Sequence, residues 1–317
     1  MNRREFIALA VAAPFAVRSG AAFALPGPLA AVTCDTEARV AVVDVAAGRV
    51  VRSISVLPDP RSIERVGYGD ALVCHTNVGA LTIVDGRALR VRHVLHDFVQ
   101  PRYTAAHPDR RHAFVTDSGT EEVVAVDVST GKSLGRLHLG GWARHLTLDP
   151  AGRTLWVGLG NVAAHVAVVD VSDPTRPTFV RTVTPPFLAH DVGFLPDGEH
   201  VWVTSGDEGQ MAVYQASGEA HLILSADAAP QHVTFGAGVA YVTSGAGGTL
   251  RVQSLRDGRV LRTTPIPVGS YNVQQGTGGR VLTPSLDRGT LCVMDARGGL
   301  LHEVHVASSS HDACFVA

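Results

Sequence analysis

Polar side chains occupy two adjacent positions in every copy of a repeated segment of this chain, and their types are suited to binding chemistry. The copies align on Pro60, Pro101, Ala143, Ala189, Pro230, Ser270 and Ser310. The residues one position further on, which we call the outer ring, are Arg61, Arg102, Arg144, His190, Gln231, Tyr271 and His311. The residues two positions further on, which we call the inner ring, are Ser62, Tyr103, His145, Asp191, His232, Asn272 and Asp312.

The histidines and aspartates of the two rings are candidate metal ligands. Imidazole and carboxylate groups are typical protein ligands of zinc, copper and iron. We therefore predict metal ligation by a set drawn from His145, His190, Asp191, His232, His311 and Asp312. A histidine beside an aspartate can also serve as a general base, so whether the protein is an enzyme stays open.

The arginines of the outer ring belong to three consecutive repeats and predict a binding site for anions. Guanidinium groups pair with carboxylates and phosphates through two parallel hydrogen bonds. The predicted ligand-binding residues are Arg61, Arg102, Tyr103, Arg144 and Asn272. Glu64, two positions beyond Ser62, is expected on the same side of its strand.

A second interpretation assigns these residues no small ligand. Polar rims of this kind also solvate a water-filled channel, or form a face that binds a protein or a peptide. Histidines from different repeats need not meet at one ion. Both interpretations stay open on the sequence alone.

The elements that position the rings are short strands in a repeat of about forty residues. The repeat is clearest in the segments VAVVDV, LTIVDG, VVAVDV, VAVVDV, MAVYQA, LRVQSL and LCVMDA. The fifth residues of these segments recur at intervals of 39 to 45 positions, as for Asp44, Asp85 and Asp127. A period of this length, built from alternating strands, indicates a propeller or a solenoid.

One repeat shows the internal order of four strands. In residues 142–183, strands are predicted at 144–148, 154–159, 166–171 and 179–183, with the tight turn Asp149-Pro150-Ala151-Gly152 after the first. Four antiparallel strands per repeat form one propeller blade. The recurrent aspartates after the third strands, at positions 44, 85, 127, 170 and 295, are predicted to cap their own turns.

The two ends of the chain complement each other. Residues 311–317 supply only a first strand, and residues 29–34 supply the missing second strand. We therefore predict an all-β, seven-bladed β-propeller whose last blade is closed by N- and C-terminal strands. Residues 25–317 form that single domain, and the first strand of each blade lines the central channel.

The repeat of this chain resembles that of a known family. The pattern of a proline, a Pro-Asp-Gly turn, a V-W-V-T strand and a V-A-V-V-D strand is similar to the YVTN-type repeat, a WD40-like β-propeller repeat of bacterial exported and surface-layer proteins. Ala240-Tyr241-Val242-Thr243-Ser244 carries it well, with Ser in place of the family's Asn. The resemblance implies a seven-bladed propeller outside the cytoplasm, and no single activity. Related propellers include haem-d1-binding domains and sugar lactonases.

The first 24 residues are predicted to be an export signal. Arg3-Arg4-Glu5-Phe6-Ile7 resembles the twin-arginine motif, and the apolar run from Ala8 to Val17 is too short to span a bilayer. Ala22-Phe23-Ala24 fits a cleavage site. The predicted location is therefore periplasmic or extracellular, with no membrane span after signal removal.

Composition excludes one class of partner. The formal charge of the 317 residues is −2, and loss of the signal would remove three arginines and one glutamate. No basic block survives, so nucleic acid is not expected as a partner. No cysteine pair among Cys34, Cys74, Cys292 and Cys314 has metal or haem spacing, and their disulfide state stays open. We expect a monomer.

Three functions follow from these observations. The first is an exported binding protein whose rim holds a small anionic molecule, a metal or a protein or peptide partner. The second is a cofactor-bearing accessory protein of an oxidoreductase, with a transition metal or a tetrapyrrole such as haem d1. The third is a lactonase-like hydrolase in which a metal activates water.

Overall fold

A computed structural model describes residues 27–226, 228–236 and 238–317. These residues form seven four-stranded antiparallel sheets arranged as the blades of a ring. The protein is therefore a seven-bladed β-propeller, as the repeat predicts. The predicted signal, residues 1–24, lies outside the described residues. In the described part of the chain, no helix is both long and apolar enough to cross a membrane.

Each blade consists of four consecutive strands, except for the last, which combines the two ends of the chain. Blades 1 to 3 contain β4 (Pro60–Val66), β5 (Asp70–His75), β6 (Ala80–Asp85), β7 (Arg90–Leu95); β8 (Pro101–Ala106), β9 (His112–Asp117), β10 (Glu122–Asp127), β11 (Lys132–His138); and β12 (Leu146–Leu148), β13 (Thr154–Gly158), β14 (Val166–Asp170), β15 (Thr178–Val183).

Blades 4 to 6 follow in the same order around the ring. Their strands are β16 (Val192–Phe194), β17 (His200–Thr204), β18 (Gln210–Gln215), β19 (Ala220–Ser225); β20 (Val233–Gly236), β21 (Val239–Ser244), β22 (Thr249–Ser254), β23 (Val260–Pro265); and β24 (Gln274–Gln275), β25 (Val281–Ser285), β26 (Thr290–Met294), β27 (Leu300–His305). A single 3-10 turn, Thr277–Gly279, separates β24 from β25.

Blade 7 is closed by both ends of the chain, as predicted. Its strand order is β28 (Ala313–Val316), β1 (Leu29–Cys34), β2 (Arg39–Asp44) and β3 (Arg49–Ser55). The strands β28 and β1 are antiparallel, and Leu29 pairs with Val316. The start of β1 and the end of β28 therefore lie side by side, at the same face of the ring.

The core lies between neighbouring blades, because the middle strands of each blade are covered on both faces. In β13 every position except the first is buried, in β14 every position except the last is buried, and the runs are rich in β-branched residues. Trp156 and Trp202, each fully buried, fill the spaces on either side of blade 4. The outermost strands are largely exposed, and in β11 half-buried and exposed positions alternate.

The recurrent aspartates cap turns, which confirms that prediction. The Asp44 carboxylate accepts hydrogen bonds from the backbone N–H groups of Ala46 and Ala47, and Asp85 does the same for Arg87 and Ala88. Asp127, Asp170 and Asp295 repeat the arrangement. These carboxylates belong to the structure of the blades.

Threonines near the ends of second strands join four of the blades to the next blade near the channel. The hydroxyl of Thr33 donates to the carbonyl of Arg61 at 2.9 Å, and Thr116 donates to Arg144 at 2.6 Å. Thr204 donates to Gln231 at 2.7 Å, and Thr243 donates to Tyr271. All four acceptors are outer-ring residues. In blade 3 the equivalent residue is Gly158, so no hydroxyl reaches the carbonyl of His190.

Candidate functional site

The inner ring surrounds one cavity on the propeller axis. All seven inner-ring side chains line this cavity, whose volume is about 100 Å³. Six of the seven outer-ring residues line a wider vestibule above it, of about 310 Å³. The seventh, Arg102, lies beside the vestibule in a narrow recess with Arg61 and Arg144. Successive residues at the start of each blade's first strand thus place the outer ring and the inner ring at successive depths of the channel.

Three histidines from consecutive blades converge where the vestibule meets the cavity. His145, His190 and His232 come from blades 3, 4 and 5, and each offers a ring nitrogen within 4.8 Å of those of the other two. The ring centroids of His145 are 4.7 Å from His190 and 4.8 Å from His232. We call this cluster the histidine trio. Its members were all predicted as metal ligands, and that role stays a prediction.

His145 is the central member and has unsatisfied polar atoms. It is 1% exposed, and neither ring nitrogen has a hydrogen-bond partner among the residues that the structure describes. Burial, followed by the neighbouring His190 and His232, holds the pKa of His145 well below its usual range. The ring is therefore neutral near pH 7 and has a lone pair available. Leaving such a group buried without a partner costs about 1–3 kcal/mol.

His190 is oriented by an irregular loop of blade 3. Residues 159–165 pair with the start of the next blade through two 2.7 Å hydrogen bonds between Ala163 and Ala189. This pairing places the carbonyl of Asn161 3.0 Å from Nδ1 of His190. With Nδ1–H donating to that carbonyl, Nε2 keeps its lone pair. Burial lowers the pKa of His190 to about 4, so this ring is also neutral.

His232 has a carboxylate on its Nδ1 side. Oδ2 of Asp191 lies 3.4 Å from Nδ1 of His232 and also accepts a 3.1 Å hydrogen bond from the backbone N–H of Val233. Asp191 therefore supports His232 from the neighbouring blade. In proteins, metal-binding histidines usually donate their second nitrogen to a carbonyl or a carboxylate. His190 has such a partner in the Asn161 carbonyl, and His232 has the Asp191 carboxylate 3.4 Å away, so the trio fits a transition metal.

The other predicted metal ligands have different surroundings. The Asp312 carboxylate accepts hydrogen bonds from the backbone N–H groups of Ile63 and Ala313, and burial raises its pKa well above the usual range. Asn272 donates its side-chain N–H to the carbonyl of His311 at 2.7 Å. His311 lies outside the trio, with Nδ1 3.1 Å from the carbonyl of Arg61. These residues join blades 6, 7 and 1 at the channel.

Two of the three outer-ring arginines lie beside one indole. The guanidinium groups of Arg102 and Arg144 each lie 5.2 Å from the ring centroid of Trp142. Arg144 is also 5.8 Å from the ring of Tyr103, and Tyr103 stacks on His145 at 4.2 Å. Tyr103 therefore connects the arginines to the histidine trio, and it lines the recess, the vestibule and the cavity.

A carboxyl group closes the floor of the cavity. Oε2 of Glu64 accepts a 2.9 Å hydrogen bond from Nε2 of Gln274, and both residues also line a pocket on the other side of the channel. Burial raises the pKa of Glu64 to about 7. The expectation that Glu64 faces the channel is confirmed.

Replacing Glu64 should therefore change how stability depends on pH. Because its pKa is higher in the folded protein than the 4.5 of an exposed glutamate, the wild type loses stability as pH rises from about 4.5 through 7. Glu64→Gln should remove this loss and stabilise the protein at pH 8.5 by at most about 3 kcal/mol, with little effect at pH 4.5. Denaturant unfolding at the two pH values measures the difference. Glu303→Gln, at an exposed position of β27, is the control. Equal gains in the free energy of unfolding at pH 8.5 from both variants would contradict the prediction.

A second cluster of histidine and aspartate is part of a turn. Asp109 lies 3.0 Å from Nδ1 of His107 and 2.6 Å from Nδ1 of His112, and it also accepts hydrogen bonds from backbone N–H groups. Asp197 and His200 form the same contact at 2.8 Å in another blade. Because the arrangement recurs at equivalent turns, its hydrogen bonds stabilise the blades and do not indicate a separate site.

Two residues near the site have roles that the repeat did not indicate. Asn161 contributes its backbone carbonyl, and the signal for it is the blade 3 loop, residues 159–165, which is three residues longer than the blade 2 loop, residues 118–121. Asp35 follows β1 and lies 3.9 Å from Arg61, and burial raises its pKa to about 7. Trp142 directly precedes the repeat position Ala143 in the sequence, but its position between two arginines depends on the fold.

Comparisons with known proteins identify the architecture. No family model matches the sequence, and no curated protein matches it. A functionally unknown protein from Desulfotomaculum acetoxidans DSM 771 superposes with a TM-score of 0.78 at 11% identity, over 91% of this chain and 98% of that chain. Hydrazine synthase from Kuenenia stuttgartiensis superposes with a TM-score of 0.66 at 15% identity, over 80% of this chain and 88% of that chain. At these identities the likeness establishes the fold alone, and the resemblance to YVTN-type repeats stays a sequence-based expectation.

Proposed function

We propose that this β-propeller is an exported binding protein that holds one transition-metal ion on His145, His190 and His232. The observation that carries the proposal is the state of His145, a buried imidazole grouped with two other imidazoles. Neither of its ring nitrogens has a hydrogen-bond partner in the described chain. A metal ion would satisfy it. The export signal predicted in residues 1–24 supports a periplasmic or extracellular location.

The geometry favours a bare metal ion over a tetrapyrrole. Three ring nitrogens within 4.8 Å of one another can share one ion, whereas a haem-type iron has only two axial positions for side chains. The cavity of about 100 Å³ accepts an ion and a few water molecules. Imidazole ligands suit zinc, copper, iron and nickel, so the metal is identified by class.

Metal titration tests the proposal directly. Mature protein, treated with a chelator and then dialysed free of it, should bind one equivalent of Zn²⁺ with a dissociation constant below about 1 μM. Co²⁺ serves as the spectroscopic probe, because its visible bands report the coordination geometry. Saturable binding at one site per chain is the expected result. Absence of saturable binding of both metals would overturn the proposal and leave the rim as a solvated or partner-binding face.

A second candidate function is metal-dependent catalysis. Three histidines leave at least one coordination position for water or substrate, which is the usual arrangement of catalytic zinc sites. When bound there, a metal would lower the pKa of a coordinated water. In this chain, the Asp191–His232 contact would orient one ligand, and Tyr103 would cover one side of the trio. Turnover of a lactone or ester panel by the zinc-loaded protein, absent from the metal-free protein, would favour catalysis over binding.

A further inference from the structure

The three outer-ring arginines carry positive charge that the described part of the protein does not neutralise. Arg102 and Arg144 have no carboxylate within ion-pair distance among residues 27–226, 228–236 and 238–317. Arg61 has only Asp35, at 3.9 Å, and burial raises the pKa of that carboxyl to about 7. Burial, followed by the charges of Arg144 and Arg61, lowers the pKa of Arg102. Like charges are therefore held close together.

These guanidinium groups also hold unused hydrogen-bond donors. Nε of Arg102 and Nε of Arg144 are both buried, and neither has an acceptor within the described residues. An unsatisfied donor on a charged group is more costly than a neutral one. Trp142 offsets part of this cost, because both guanidinium groups lie near its ring. It also fixes the two groups in place before any ligand arrives.

The recess between the arginines is too narrow to hold a water molecule, and it adjoins the vestibule, with which it shares four lining residues. Arg61, Arg102, Arg144, Thr76, Tyr103 and His311 line it. Arg61, Arg144 and Tyr103 also line the vestibule, together with His190 and His232. A ligand in the vestibule would therefore meet Arg61 and Arg144 beside the trio, while Arg102 adds positive charge from the adjoining recess.

The size and charge of the protein restrict that ligand to a small molecule. The vestibule measures about 310 Å³, at the lower end of the range for small-molecule pockets. The formal charge of the whole chain is −2, so the protein carries no net positive charge that would attract a polyanion.

We propose that Arg61, Arg102 and Arg144 form an oxyanion site that anchors a small ligand by a carboxylate or phosphate group. Paired N–H donors of arginine match the oxygens of both groups. Anchoring by the arginines needs no metal, so this inference stands independently of the metal proposed for the trio. It identifies the ligand class of the vestibule as small organic acids or phosphate esters.

Calorimetric titration of metal-free protein with malonate and with inorganic phosphate tests the inference. At least one of the two anions should bind at one site per chain, and the affinity should fall as salt concentration rises. Preference for malonate would indicate a carboxylate ligand, and preference for phosphate would indicate a phosphate ester. Failure of both to bind would overturn the inference, even if the metal titration succeeds.

Arginine variants show whether any binding is specific. Arg102→Gln and Arg144→Gln should each weaken binding by at least about tenfold. Arg90→Gln, at an exposed position of β7, makes the same change of charge away from the channel and should change affinity by less than twofold. Circular dichroism and thermal unfolding confirm that each variant is folded. Equal loss in all three variants would show non-specific attraction and would contradict the proposed site.

Discussion

A His145→Ala variant should bind zinc at least about 100-fold more weakly than the wild type. Loss of a supporting residue behind a ligand typically weakens metal binding by 10- to 100-fold, and loss of the ligand itself should cost more. His145 is the central ring of the trio, with contacts to both other members. Competition against a chromophoric zinc chelator measures the difference.

His311→Ala is the matched control for this variant. It also removes one histidine side chain from the rings that line the channel. His311 lies outside the trio, however, and contacts Asn272 and the carbonyl of Arg61. We expect its zinc affinity to stay within about threefold of the wild type. A comparable loss from His311→Ala, or retention of full affinity by His145→Ala, would show that the trio does not hold the ion.

Deletion of residues 313–317 should prevent stable folding. The deletion removes β28, in which all four residues are buried, and exposes the pairing edge of β1. One of these residues, Phe315, packs against Leu282, Leu291 and Val293 of blade 6. Truncating such a buried aromatic side chain by itself costs about 3–5 kcal/mol. The loss of a whole strand should exceed the usual total stability of a domain, about 5–15 kcal/mol.

Soluble yield and thermal unfolding measure this effect. The matched control is an extension of five Gly and Ser residues after Ala317, which leaves β28 in place and should leave the melting temperature within a few degrees. Phe315→Ala should fold, with a clearly lower melting temperature. A truncated protein that stays monomeric and melts cooperatively near the wild-type temperature would show that blade 7 is not needed to close the ring.

The repeat was sufficient to predict the architecture because each level of the structure has its own sequence signal. The interval of about forty residues indicates the blades, and the polar–apolar alternation of the first strands places His145 and Asp191 toward the channel. Residues 29–34 and 311–317 each lack a partner strand in sequence, and the fold pairs them. The recurrent aspartates were correctly attributed to turns because their position after the third strand never changes.

The grouping of the site residues was not predictable in the same way. His190 belongs to the outer ring, yet it joins two inner-ring histidines because the loop containing Asn161 pairs with Ala189. His311 occupies the same ring as His190 and has the same side chain, but it contacts Asn272 instead. Such differences depend on contacts between blades, which no single repeat encodes.

The pairing of Leu29 with Val316 has a practical consequence. The strand β28 runs from the rim residue Asp312 away from the vestibule, and β1 starts beside its far end, so residues 27 and 317 lie on the face opposite the histidine trio. A tag, a carrier domain or a solid support attached beside residue 27 or residue 317 would therefore leave the vestibule facing outward, so that the immobilised protein could capture ligand.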